Sequence, residues 1–86
     1  MVNKTYRVAY EIPSSAGFEL TNIKIYTSLP KAKAEFNKRL RSFKKDVKNN
    51  DVEEGEGLIL EDLNEGFRIE SRIFDGEELQ DSGGMR

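Results

Sequence analysis

The chain contains neither cysteine nor histidine. The first absence excludes disulfides, thiol nucleophiles and thiolate zinc sites; the second removes imidazole ligands and every His-based triad or proton relay. Catalysis would fall to carboxylates, Lys, Tyr or Ser, and no spacing sets a base beside a nucleophile, so the sequence points away from an enzyme. No stretch approaches the roughly 18–20 apolar residues of a membrane span. The N-terminus also lacks the uninterrupted apolar run of a secretory signal. A cysteine-free chain needs no oxidising compartment. The expectation is therefore a cytoplasmic domain with no cofactor, no metal and no membrane partner. Apolar residues are scarce at 36%. Leu, Ile, Val and Phe still make up 22 of the 86 residues, above the roughly one-fifth level at which disorder prevails. That is enough for one modest core.

What the chain does have is charge, and it is segregated. Residues 1–50 carry eleven Lys/Arg against four Asp/Glu, a net +7, and residues 51–86 carry three against twelve, a net −9. The overall −2 thus conceals a strong asymmetry, which favours recognition of a charged partner.

The apolar pattern lays out the elements. Thr5–Ile12 alternates, with Tyr6, Val8, Tyr10 and Ile12 on one face, as a half-buried strand requires. Pro13–Gly17 has turn composition, and Phe18–Thr27 continues as a second strand. Within it Phe18 and Leu20 differ in parity from Ile23 and Ile25, which a bulge near Thr21-Asn22 would reconcile. Ser28 suits an N-cap with Pro30 behind it, and Leu29, Ala32, Phe36, Leu40, Phe43 and Val47 fall within about 80° of a helical wheel. Asn49-Asn50 suits a left-handed stop, and Asp51–Gly57 a polar loop. Gly57–Leu63 and Phe67–Phe74 form a second hairpin around Asn64-Glu65-Gly66. These features predict an α+β fold over residues 1–74, ββαββ, a four-stranded sheet with one amphipathic helix packed on one face. Tyr6, Val8, Tyr10, Ile12, Ile69 and Ile73 should meet the helix. Residues 75–86 read as a flexible acidic tail.

The order hairpin, helix, hairpin resembles the β-grasp arrangement of ubiquitin-like and immunoglobulin-binding domains. That resemblance implies a fold and no activity. A wholly antiparallel sheet, with the second and third strands adjacent, uses the same elements. A short, cysteine-free, charge-polarised domain of this order also resembles the small accessory proteins of bacteriophages and mobile elements, among them inhibitors of host enzymes and defence systems. It implies stoichiometric inhibition of a host or element-encoded protein.

Two charged surfaces are candidates for recognition. Asp51, Glu53, Glu54 and Glu56 in the loop, with Glu61, Asp62 and Glu65 across the second hairpin and Asp75, Glu77, Glu78 and Asp81 beyond it, form an acidic set that can imitate a phosphate backbone and occupy a basic partner, the loop carboxylates with Glu61 and Asp62 being the leading candidates. The helix offers the alternative: Lys31, Lys38, Arg41, Lys45 and Lys48, with Lys33 and Lys44, cover about 160° of its wheel and could track phosphates of a nucleic acid. The acidic loop could equally fold back on the basic helix. Each surface has a plainer reading, as a solvating face. Edge strands would in addition permit a homodimer or strand addition by a partner.

Sharper chemistries fail on spacing. The segment from Asp51 has glycine at position five of a would-be calcium loop, not six, and Asp62 at position twelve in place of a bidentate Glu. Gly55 and Gly57 precede a strand, whereas a dinucleotide fingerprint opens a helix. Adjacent Glu61 and Asp62 have too little chain around them to build a cleft.

Overall fold

The computed structural model describes residues 4–81. Five strands, β1 (Tyr6–Ser14), β2 (Gly17–Tyr26), β3 (Gly57–Asp62), β4 (Phe67–Phe74) and β5 (Leu79–Gln80), and one helix, α1 (Leu29–Lys48), make up the fold. The sheet order is β2-β1-β3-β4-β5, with every pair antiparallel. Of the two sheets expected, the antiparallel one forms, though its second and third strands are not neighbours. The reason is the helix. At 20 residues it spans about 30 Å, long enough to carry the chain back along the sheet, so that β3 runs parallel to β2 and takes the free side of β1 between them. β1 is thereby paired on both sides, and Val8 and Ala9 lose all exposure.

The first hairpin closes over Ser15-Ala16, and Pro13 is a strand residue paired with Phe18, not part of the turn. β3 pairs with β1 only as far as Glu11. Beyond that point one side of β1 needs no donor, so the missing N–H of Pro13 is harmless. Gly55, at φ +97°, lies against this proline; a Cβ there would stand 2.9 Å from Pro13 Cγ.

Opposite Ala9, β2 carries two residues where β1 carries one, and Asn22 adopts φ 52°. This is the bulge the parity change requires. It brings Phe18, Leu20 and Ile25 onto the sheet face away from the helix, opposite Pro13, Glu11 and Arg7.

Ser28 caps α1 in an extended conformation, and its Oγ accepts the Lys31 N–H at 3.4 Å. At the other end Asn50 is left-handed (φ 61°), the Asp51 N–H reaches the Asp46 carbonyl at 2.8 Å and the Asn50 N–H that of Val47 at 3.1 Å. This is the Schellman pattern, with asparagine in place of the usual glycine. Ala32, Phe36, Leu40 and Phe43 are buried, with Leu29 and Val47 half-buried at the ends. They pack on Tyr6, Val8, Leu58, Leu60 and Phe74, with Tyr10, Tyr26 and Ile69 at the margin.

Ile12 and Ile73 do not join this core, contrary to expectation. The register slips between Leu60 and Glu61, leaving Ile69 as the extra residue of β4. Ile69 and Phe74 therefore reach the helix side, while Ile73 lies opposite Gly57 on the other face. The sheet also outlasts Phe74. Asp75 folds the chain back, its Oδ1 accepting the N–H groups of Glu77 (2.8 Å) and Glu78 (2.9 Å), and β5 pairs with Ile73 and Phe74. Residues 75–80, with Asp81 paired to Arg72, are thus built into the fold, whereas the remainder of the expected tail, 82–86, lies outside the described residues.

Candidate binding surfaces

The face without a helix is closed by ion pairs over its centre. Ala9, Ile59 and Ser71 form one cross-strand row on that face, and all three are fully buried although no second layer covers them. The row Arg7, Glu61 and Arg68 flanks it on one side and Glu11, Gly57 and Ile73 on the other. Arg7 Nη2 meets Glu61 Oε1 at 2.7 Å, and Arg68 Nη2 meets Glu11 Oε2 at 2.6 Å. Glu11 and Arg68 stand in opposite flanking rows and two strands apart, so their side chains must cross over Ile59 to meet. Their stems and paired heads roof this buried row, as long amphipathic side chains can. Glu11 retains only 6% exposure.

This roof settles the position of Glu61: it is an ion-pair partner of Arg7. Asp62 is spent locally too. It is buried, and its Oδ1 accepts the N–H groups of Asn64 (2.8 Å) and Glu65 (3.0 Å), which fixes the β3–β4 turn. Neither lies with the loop carboxylates as the sequence grouping had them.

The other four acidic candidates stay together. Asp51, Glu53 and Glu54 are exposed, and Glu56 is half-buried with its Oε2 accepting the Glu53 N–H at 3.0 Å. Their loop is fastened to the end of β4, since the Gly55 N–H donates to the Phe74 carbonyl (2.8 Å) and the Phe74 N–H to that of Glu56 (2.9 Å). The same link brings in three of the carboxylates beyond Phe74 that the sequence groups with the loop. Glu54 Oε1 lies 3.5 Å from the place a Cβ would take at Gly76, so the turn carrying Asp75, Glu77 and Glu78 abuts the acidic loop. The backbone N–H groups of Glu78 and Glu77 hold the Asp75 carboxyl below the usual carboxylate range. Seven carboxylates converge on one end of the sheet, and among the described residues none of them forms an ion pair with the helix. The loop does not fold back to neutralise it.

On the helix, Lys31, Lys38, Arg41, Lys45 and Lys48, with Lys33 and Lys44, are all exposed, and none forms an ion pair among the described residues. Arg39 behaves differently. Its Nε meets Glu35 Oε2 at 2.7 Å, its Nη1 donates to the Asn22 carbonyl at 2.6 Å, and its guanidinium lies 5.4 Å from the Tyr10 ring centre. The hydrogen bond from Arg39 lowers the Glu35 pKa, while burial raises that of the Tyr10 hydroxyl against the opposing pull of Arg39. Tyr10, Asn22, Ile23, Lys24 and Arg39 line a depression of about 340 Å³ that is too open to enclose a small molecule.

A third surface escaped the sequence reading. Phe18, Ile23 and Ile25 on β2 are 61%, 50% and 51% exposed, where the roof of ion pairs does not reach. The signal was present: a tight turn after Ser14 sets Phe18 and Leu20 opposite Pro13 and Glu11, and so away from Tyr10 and Ile12. Among the described residues no group of His, Cys, Asp or Glu is arranged to hold a metal, and no helix is long and apolar enough to cross a membrane. No protein-family model, curated protein or solved structure matches the chain.

Proposed function

We propose that this chain is a non-catalytic binding protein that presents its acidic end to a basic surface of another protein, acting stoichiometrically as an inhibitor or modulator. The observation that carries the reading is the latching of the 51–56 loop to the 75–78 turn. Asp51, Glu53, Glu54, Glu56, Asp75, Glu77 and Glu78 are held on two short backbone-bonded segments, so little loop entropy is left to lose on docking. Like charges gathered without counter-charges repel one another, and a cationic partner relieves that repulsion. Such a surface accelerates encounter most at low salt. The resemblance to mobile-element accessory proteins makes a host protein that handles nucleic acid the natural partner class, in the cytoplasm. Reversal of Glu53, Glu54 and Glu77 to Lys should abolish capture of the partner from lysate, while reversal of Lys38 and Arg41 to Glu leaves capture intact. Undiminished capture by the triple variant would sink the proposal.

The helix supports a second reading, direct binding of nucleic acid, because seven cations share its outer face without internal partners. Phe36 and Phe43 are consumed by the core and offer no stacking platform, so binding would be electrostatic, weakening steeply with salt. Retardation of DNA or RNA at low salt that disappears in the Lys38→Glu/Arg41→Glu variant would favour this reading. No retardation under those conditions removes it.

A further inference from the structure

The two edges of the sheet are not alike. On the β4 side, β5 covers Ile73 and Phe74, and the charged heads along the strand are engaged: Arg68 with Glu11, and Arg72 with Glu70 (3.6 Å) and Asp81 (3.3 Å). On the β2 side a ten-residue strand has β1 as its one strand neighbour among the described residues, with the Asn22 carbonyl taken by Arg39, and exposes Phe18, Ile23 and Ile25. Long edges with apolar side chains template further pairing, and the chemistry along β2 specifies what pairs with it.

We infer that β2 pairs with β2 of a second copy of this chain, antiparallel about a two-fold axis perpendicular to the sheet, with Phe18 opposite Ile25, Glu19 opposite Lys24 and Leu20 opposite Ile23. Such an axis keeps each face of one sheet continuous with the same face of the other. In a regular strand it can align only residues of like parity, because neighbours point to opposite faces. The bulge at Asn22 lifts that restriction: it returns Phe18, Leu20 and Ile25 to a single face, with Ile23 sharing the parity of Ile25, while Glu19 and Lys24, opposite Ile12 and Val8, share the other. Each proposed pair straddles the bulge, so each joins residues of one face. Two apolar pairs and their symmetry mates then lie on the helix-free face, and two Glu–Lys pairs on the helix side.

The register is singled out by charge. Sliding one copy by two residues sets Lys24 opposite Gly17 or Thr21 and leaves Glu19 opposite Asn22 or Tyr26, and the first of these slides also sets Leu20 opposite Thr21, which lie on different faces. In the proposed register the two edge charges, which would otherwise guard against pairing, attract. Glu19 and Lys24 are both exposed and available. Lys24 also lies close enough to Glu35 to help lower its pKa, which makes Glu19 the cleaner position to change. The two-fold operator closes the assembly at a dimer and leaves both acidic ends free, so its success or failure is independent of the function proposed above.

The test is sedimentation velocity of the intact chain across a concentration series. Wild type should shift from 9.8 kDa towards twice that mass as concentration rises. Glu19→Lys, which sets two like-charged pairs across the axis, should raise the dissociation constant about tenfold or more, and the exchanged Glu19→Lys/Lys24→Glu variant should recover the dimer. Far-ultraviolet circular dichroism confirms that each variant is folded; should the exchanged variant be destabilised, Ile25→Ser provides the alternative loss-of-dimer arm. A chain monomeric at every concentration overturns the proposal and leaves β2 to some other partner. So does a dimer indifferent to both Glu19→Lys and Ile25→Ser.

Discussion

At the scale of single residues, Glu11 is the most exposed to failure. Its carboxylate is nearly out of water and leans on one guanidinium, that of Arg68. Removing Arg68 strips a charge-assisted hydrogen bond and leaves a desolvated acid behind, so Arg68→Ala should destabilise the fold by about 2 kcal/mol in chemical denaturation. Arg7→Ala, which frees the better-hydrated Glu61, should cost under about 1 kcal/mol. Equal effects from both would refute the idea that the Glu11–Arg68 pair roofs Ile59. Asp75 provides a pH test. Two backbone N–H groups favour its charged form in the folded state. A carboxyl whose folded pKa is depressed contributes stability above its unfolded value, about 4, and loses it as pH falls through the folded value. Amide shifts of Glu77 and Glu78 should titrate below the ordinary aspartate range; titration at the ordinary value would contradict the turn geometry.

At the scale of elements, the helix was the most legible. Its cap, its six-residue stripe and its left-handed stop are all local patterns, and local patterns survive folding. The bulge in β2 was legible for the same reason, since it shows as a break in alternation within one strand. The slip in β4 was not. It arises from pairing with β3, a partner the sequence of β4 does not reveal, and it moves Ile73 off the helix side. β5 was hidden because Leu79-Gln80 is too short to display a period and sits among acidic residues that read as solvating. Its existence depends on the Asp75 turn. Asp75→Ala should therefore raise hydrogen-exchange rates at Glu77, at Glu78 and at position 75 itself, whose N–H donates to the Glu78 carbonyl, and loosen the adjoining 51–56 loop, while α1 remains protected. Unchanged exchange at those positions would show that β5 stands without its turn.

At the scale of the whole molecule, the charge segregation seen in the sequence becomes an arrangement of surfaces: a basic helix face, a ion-paired sheet face and an acidic end. The acidic end was half legible. The carboxylates of the loop and of the segment after Phe74 can be grouped from sequence, but the removal of Glu61 and Asp62 into internal contacts, and the fixing of Asp75, Glu77 and Glu78 in a turn beside the loop instead of a flexible tail, are consequences of the β3–β4–β5 meander. Which surface recognises a partner decides the account as a whole. The most direct measurement is a hydrogen-exchange footprint of the chain while bound to the protein it captures, compared with the free chain. Protection should concentrate at residues 51–56 and 75–78, with the outer face of α1 unchanged. Protection confined to residues 31–48, with the acidic end as free as before, would contradict it.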